Sequence, residues 1–186
     1  MSTISSQYRY LDSGSLPAQK VWKTETEGWS YEPLVSEDLV LVGGGQGLQA
    51  FSLQGEPLWQ TDSGMTTQRP AAGHDMVLAS SDRGLTAFDR RGKELWNFPV
   101  GYGSMGEPQV GEDGTVYVGG ADQRLYAVTP EGQEKWHLEM EAGVEAAPVL
   151  DREGRLYVGD LQGNLVGVEA ESGSHLWSKK THEPFR

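Results

Sequence analysis

Tryptophan recurs along this chain on a fixed period. Trp22, Trp59, Trp96, Trp136 and Trp177 stand 37, 37, 40 and 41 residues apart. Two other series keep step with them. Pro33, Pro70, Pro108 and Pro148 each follow a periodic Trp by 11 or 12 residues, and Gly55, Gly92, Gly132 and Gly173 each precede one by four. Self-similarity near 40 residues marks a repeat architecture, in which each unit buries its apolar faces against its neighbours.

Aligned on this period, residues 1–186 form a single array. A half-unit covers 7–24, and full units cover 33–59, 70–96, 108–136 and 148–177. Each full unit predicts four short strands. The first follows the proline, as in Gln109-Val110 and Val149-Leu150. Asp113-Gly114 and Glu153-Gly154 then predict two-residue hairpin turns, because Gly and Asp accept the positive φ such turns need. The second strand alternates, as in Val116-Tyr117-Val118 and Leu156-Tyr157-Val158, and stops at small residues such as Gly43-Gly44 and Ser80-Ser81. The third is exemplified by Leu48–Leu53 and Leu125–Thr129, and the fourth carries the Trp. No useful stretch shows a 3.6-residue apolar period, so almost no helix is expected. In the half-unit, Tyr8–Asp12 and Lys20-Val21-Trp22 match the third and fourth strands; the tail is too short for two strands, though Glu183-Pro184-Phe185 could begin one. Four-stranded units each ending in an aromatic predict an all-β fold, a β-propeller of antiparallel blades. The common register predicts equivalent buried sites for Trp59, Trp96, Trp136 and Trp177, each with its N–H on a carbonyl.

Pro-x-Val, Val-Tyr-Val-Gly, Leu-Tyr-Ala-Val and Gly-x-x-x-Trp together resemble the PQQ-like propeller repeat, the blade of quinoprotein alcohol dehydrogenases and of BamB-like proteins. Thr115–Trp136 carries the pattern best, and Gly173-x-x-x-Trp177 also fits. The third strand departs from the family's acid-Thr-Gly ending: Asp89 and Glu169 keep the acid, Ser52 and Thr129 do not, and Thr-Gly is absent. In the dehydrogenases the resemblance implies PQQ against a ring of adjacent cysteines, with calcium held by acidic and amide side chains and an Asp base. This chain has no cysteine, and none of those positions can be carried over. No cofactor, metal or catalytic residue is therefore expected.

Charge narrows the partners. Asp and Glu outnumber Lys and Arg by 27 to 15, a net charge of −12. That disfavours nucleic acid, whose phosphates need basic clusters, and anionic membrane surfaces. No apolar run is long enough to span a membrane, so no insertion is expected. The first residues lack a basic segment followed by an apolar one, which predicts a cytoplasmic chain as given, with a periplasmic or secreted parent left open. The four histidines fall at different repeat positions, and Gly43–Gly47 lacks the Lys-Ser/Thr ending of a phosphate loop.

Candidate binding residues lie in turns and connections. Asp82, Asp122 and Asp160 sit near the turn after the second strand and could ring one face, although Asp is also an ordinary turn residue. Trp29 and Tyr31, with Tyr102 and Met105, fall off the repeat grid in the connections and could form a recognition surface or cover a blade end. The expected function is a non-enzymatic scaffold that binds protein. A small-ligand or carbohydrate-binding propeller and a piece of a quinoprotein are the alternatives. Unpaired sheet edges and apolar end faces predict a homodimer or higher oligomer that completes the ring, ahead of a five-bladed monomer.

Overall fold

In the computed structural model, residues 22–185 are described, apart from 24, 25, 27, 28, 74, 102–105 and 182. Most of the predicted half-unit 7–24 thus lies outside the described residues, as do Tyr102, Met105, His74 and His182. Among the described residues, sixteen strands form four antiparallel four-stranded sheets, each in simple up-and-down order. The first holds β1 (Leu34–Ser36), β2 (Leu39–Gly44), β3 (Gly47–Ser52) and β4 (Pro57–Gln60). The second holds β5 (Ala71–Gly73), β6 (Met76–Ser81), β7 (Gly84–Asp89) and β8 (Glu94–Phe98). β9 (Gln109–Val110), β10 (Val116–Gly119), β11 (Arg124–Val128) and β12 (Glu134–Glu139) form the third. β13 (Val149–Leu150), β14 (Arg155–Gly159), β15 (Asn164–Glu169) and β16 (His175–Lys180) form the fourth. The described residues contain no helix. The fold is the all-β propeller type that the repeat predicts.

Strand alternation distributes each sheet between two neighbours, because successive side chains point to opposite faces. Leu39 and Leu41 of β2 meet Val77 and Ala79 of β6. Met76 and Leu78 of the same β6 turn the other way and meet Val116 and Val118 of β10. Tyr117, between those two valines, joins Leu156 and Val158 of β14. The second and third strands are largely buried because both their faces are covered.

The periodic tryptophans tie one sheet to the next. Trp22 Nε1 donates to Leu53 O, Trp59 to Arg90 O, Trp96 to Pro130 O and Trp136 to Ala170 O, at 2.8–3.0 Å. Each acceptor lies in the turn before the last strand of the following sheet. The ring covers that turn's glycine: a Cβ on Gly92 would stand 2.7 Å from Trp59, and one on Gly132 2.5 Å from Trp96. Gly55, Gly92, Gly132 and Gly173 all have φ between +71° and +84°, so glycine is needed both for backbone and for space. Within their own sheets Trp59, Trp96, Trp136 and Trp177 face a small residue, Ala50, Ala87, Ala127 and Gly167 in turn, and a register shift follows at that point every time.

Three sequence expectations are corrected. Trp59, Trp96 and Trp136 are half-buried rather than buried, and Trp177 is exposed, because the ring lies across the rim of a joint and no described sheet packs on Trp177. The turns at Asp113-Gly114 and Glu153-Gly154 are three-residue loops. Gly111 N donates to Thr115 O and Asp151 N to Arg155 O, with Gly114 and Gly154 at positive φ. This is the loop that places a left-handed glycine last. The two-residue turns are instead in the first two sheets, closed by the pairs Ser36 with Leu39 and Gly73 with Met76. The tail starts no strand: Phe185 folds back over Gly159.

Acids hold many of the turns. Asp89 Oδ1 accepts from Arg91 N and Lys93 N, and Asp151 Oδ1 accepts from Glu153 N and Arg155 N. The Lys93 backbone N–H, foremost, holds the Asp89 carboxyl below its ordinary value. For Asp151 the Arg155 backbone N–H leads, joined by the Arg155 guanidinium and the Tyr157 hydroxyl. A carboxyl lowered on folding contributes stability above its unfolded value near 4, and that contribution is lost as pH falls through the lower folded value. The melting temperature should therefore fall from about pH 4 to about pH 2, with a shallower slope in Asp151→Asn. Identical slopes in a calorimetric pH series would rule out this source of acid sensitivity.

Candidate functional site

One end of the four sheets is built from the turns between second and third strands and from the connections between sheets. The connections are tied to the turns by backbone hydrogen bonds. Tyr31 N donates to Gly43 O (2.8 Å) and Gly45 N to Trp29 O (3.1 Å). Thr66 N donates to Gly44 O in the first sheet, while Thr66 bridges Ser81 in the second. Gly106 N reaches Gly119 O, Val144 N reaches Gly120 O, and Leu161 N reaches Gly143 O. Connections and turns thus form one continuous face, with a candidate residue at each sheet.

At the first sheet, Trp29 is 45% exposed and meets Tyr31 edge-on, with ring centroids 5.3 Å apart. Its indole lies over Gly45, where a Cβ would come within 3.2 Å of Nε1. A Cβ on Gly44 would stand 2.3 Å from Trp29 O, so the Gly43–Gly47 run gives the connection room to lie against the sheet end. Gly47, at φ +91°, closes the turn. The run is a turn, as its alignment predicts.

The three aspartates have three different jobs. The registers pair Gly119 with Leu125 and Gly159 with Leu165, which places Asp160 opposite Gly120 of the third sheet rather than opposite Asp122. Asp160 is fully buried. Its Oδ1 accepts from Gln162 N and Asn164 N, both at 2.9 Å, and its Oδ2 from Asn164 Nδ2 at 2.7 Å. Asp122 is half-buried and accepts the Tyr126 hydroxyl on Oδ2 at 2.5 Å, while its Oδ1 is buried without a hydrogen-bond partner among the described residues. Burial, with the Asp122 carboxylate second, pushes the Tyr126 phenol up to about 12, so it stays a donor at neutral pH. Asp82 is exposed, with Oδ1 close over Gly64. The structure places these residues at the same end of successive sheets but does not converge them on a point. Among the described residues, no group of three or more His, Cys, Asp or Glu could hold a metal ion.

Met65, 47% exposed in the same connection as Thr66, belongs to this face and was not singled out from the sequence. Its signal was faint: a Met inside Asp62–Gln68, a polar segment off the repeat grid. Between the last strands of the third and fourth sheets lies a groove of about 520 Å³, lined by Met140, Glu141, Asp160, Asn164, Lys179 and Lys180 among others. Its polar groups engage one another. Asn164 Nδ2 donates to Glu141 Oε2 at 3.1 Å, and Lys180 Nζ lies 4.0 Å from the same oxygen.

Comparison with known proteins agrees with this architecture. Among solved structures, BamB from Moraxella catarrhalis superimposes with a TM-score of 0.70 at 16% identity, over 81% of this chain and 48% of that one. The quinohemoprotein alcohol dehydrogenase of Comamonas testosteroni gives 0.69 at 17% identity, over 84% and 37%. That of Pseudomonas putida HK5 gives 0.67 at 19% identity, over 84% and 36%. The chain therefore spans about half, or less, of the length of these proteins, and at such identities the likeness shows the fold. No curated protein sequence matches the chain. The family model described as outer membrane protein assembly factor BamB matches residues 17–104 and again 81–186. With the periodic Trp, Gly and Pro and the four sheets they join, these matches establish that the chain belongs to the BamB-like family of PQQ-type repeat proteins.

Proposed function

We propose that this chain is a non-enzymatic scaffold that binds a protein partner through the face of turns and connections, and that it self-associates to complete its ring. The observation that carries the first part is the state of that face. Asp160 is consumed in holding its turn and Asp122 accepts the Tyr126 hydroxyl, whereas Trp29 and Met65 are large apolar side chains left in water. Exposed aromatic and Met side chains on a rigid frame are the groups that contribute most at protein interfaces. The net charge of −12 favours a partner with a basic surface, through electrostatic steering.

Affinity capture from the native host with the wild-type chain and with Trp29→Ala and Met65→Ala tests this reading. A specific partner should be lost by about tenfold or more in Trp29→Ala. Equal capture by all three proteins would reject the face.

The groove beside Asp160 and Asn164 favours a second reading, a small polar ligand or glycan. A glycan array distinguishes the two. The residues present do not fit PQQ. The chain has no cysteine, and the described carboxylates form no metal cluster. Adding PQQ with calcium should leave no cofactor absorbance in the protein fraction.

A further inference from the structure

The common register makes the joints between sheets comparable position by position. Thr86, Tyr126 and Val166 share one repeat position, with Asn97, His137 and Ser178 opposite them on the last strands. Between the first and second sheets this place is closed by polar groups: Thr86 is buried, and Asn97 Nδ2 donates to its hydroxyl at 2.8 Å. Between the second and third sheets it is filled by rings. Tyr126 is buried, meets Phe98 of β8 edge-on with centroids 5.5 Å apart, and has His137 beside it at 6.1 Å. Its hydroxyl donates to Asp122 Oδ2, which lies close over Gly101 in the connection after β8.

Between the third and fourth sheets the same frame lacks the ring. Leu138 stands where Phe98 does in its sheet, and with Met140 it packs against the cluster that holds Val166. Val166 and the exposed Ser178 take the places of Tyr126 and His137 and are too short to reach across. The result is the groove of about 520 Å³, within the range of about 300–1,000 Å³ usual for small-molecule sites. Its floor is apolar: Leu138, Met140 and Val166. A carboxylate is kept too, but the connection supplies it. Glu141 follows Trp136 at the distance at which Gly101 follows Trp96. Its Oε2 accepts from Asn164 Nδ2 at 3.1 Å, with Lys180 Nζ 4.0 Å away. The buried Asp160 holds that amide from the other side at 2.7 Å, so the Glu141 carboxylate is anchored to the wall of the groove.

We propose that this groove binds a free phenol, a single-ring small molecule. Its ring lies on Leu138, Met140 and Val166, and its hydroxyl donates to Glu141, as the Tyr126 hydroxyl donates to Asp122 one joint earlier. The proposal deepens the second reading of the function, a small polar ligand in this groove, and rests on it. The apolar floor selects a ring over a hydrated sugar, since burying hydroxyls without partners is costly. The single acceptor at the wall selects a ring with a hydroxyl, because a hydrogen bond to a carboxylate is charge-assisted.

The probe is p-cresol, the tyrosine side chain as a free molecule, with toluene as its counterpart lacking the hydroxyl. Titration of the intact, isotope-labelled chain followed by amide NMR should give saturable shifts at Glu141, Asn164, Val166 and Ser178. Toluene should bind about tenfold more weakly, the worth of a hydrogen bond to a charged group. Glu141→Gln should bring the two ligands within about threefold of one another while leaving toluene unchanged. Ser178→Tyr puts a ring of the chain's own at an exposed position on the groove. It should weaken p-cresol by about tenfold or more, with the circular dichroism of the wild type. Absence of saturable shifts, equal affinity for both ligands, or p-cresol binding unchanged in Ser178→Tyr would each overturn the proposal. Tighter binding of N-acetyltyrosinamide than of p-cresol would assign the groove to a protein's tyrosine and overturn the free ligand as well. A glycan lost in Ser178→Tyr, with p-cresol inert, would overturn the phenol and keep the second reading. If neither binds, both are removed.

Discussion

Replacing Trp96 with Ala is expected to lower the unfolding free energy by about 3 kcal/mol, toward the lower end of large aromatic truncations because the ring is only half-buried. Three losses combine. The ring leaves a gap among the Met76, Leu78 and Val128 cluster, the Pro130 carbonyl loses its 2.8 Å donor, and Gly132 loses its cover. The joint lies in the middle of the array, and in such arrays stability is a sum of units and nearest-neighbour interfaces, so the loss should loosen both halves. Urea unfolding should show a lower midpoint, and a broadened transition if the two halves uncouple. Trp177→Ala is the internal control. The same residue type at the same repeat position has no described sheet packed on it, so in the single chain it should cost under about 1 kcal/mol. Equal losses at the two positions would mean that the tryptophans stabilise their own sheets rather than the joints.

Gly132→Ala should cost about 2 kcal/mol. The residue has φ +82°, a conformation of order 1–3 kcal/mol unfavourable for a residue with a Cβ. The added carbon would also stand 2.5 Å from Cγ of Trp96 and force the ring outward. The two contributions separate in a double-mutant cycle. With Trp96 already Ala, the steric part disappears and only the backbone strain remains, so Gly132→Ala should cost about 1 kcal/mol less in that background. Strict additivity would show that ring and glycine do not act as a unit. The same pairing recurs at Trp59 with Gly92 and at Trp136 with Gly173, so the effect should reproduce at those joints.

The candidate face was legible only in pieces. Trp29 and Tyr31 stood out because they break the period, and the structure brings them together, edge to face, at one sheet end. The aspartates stood out by type, but type does not reveal which hydrogen bonds a carboxylate makes. Asp160 has a backbone N–H two residues on and an Asn beyond it, and is consumed by them. Asp122 sits two places later in the turn and finds a tyrosine instead. That difference depends on where the turn residues fall relative to the strand register. Met65 was passed over because a lone Met in a polar segment has no periodic signal; only the bonds from Thr66 to two sheets place it on the face.

The amino-acid sequence by itself determined the unit: its length, its four strands, the Trp and Gly that recur in register, and the absence of helix among the described residues. These are local properties, set by side-chain alternation and by residues able to take positive φ, and they repeat wherever the local sequence repeats. Only the tertiary structure decided what each tryptophan does. Trp136 and Trp177 sit at the same repeat position and beside nearly the same tyrosine geometry, yet one is tied to Ala170 O and the other lies in water. Burial is a property of the neighbour as much as of the residue. The small residue opposite each Trp, and the register shift that follows, likewise became visible only once β3, β7, β11 and β15 were paired with the strands that cross them.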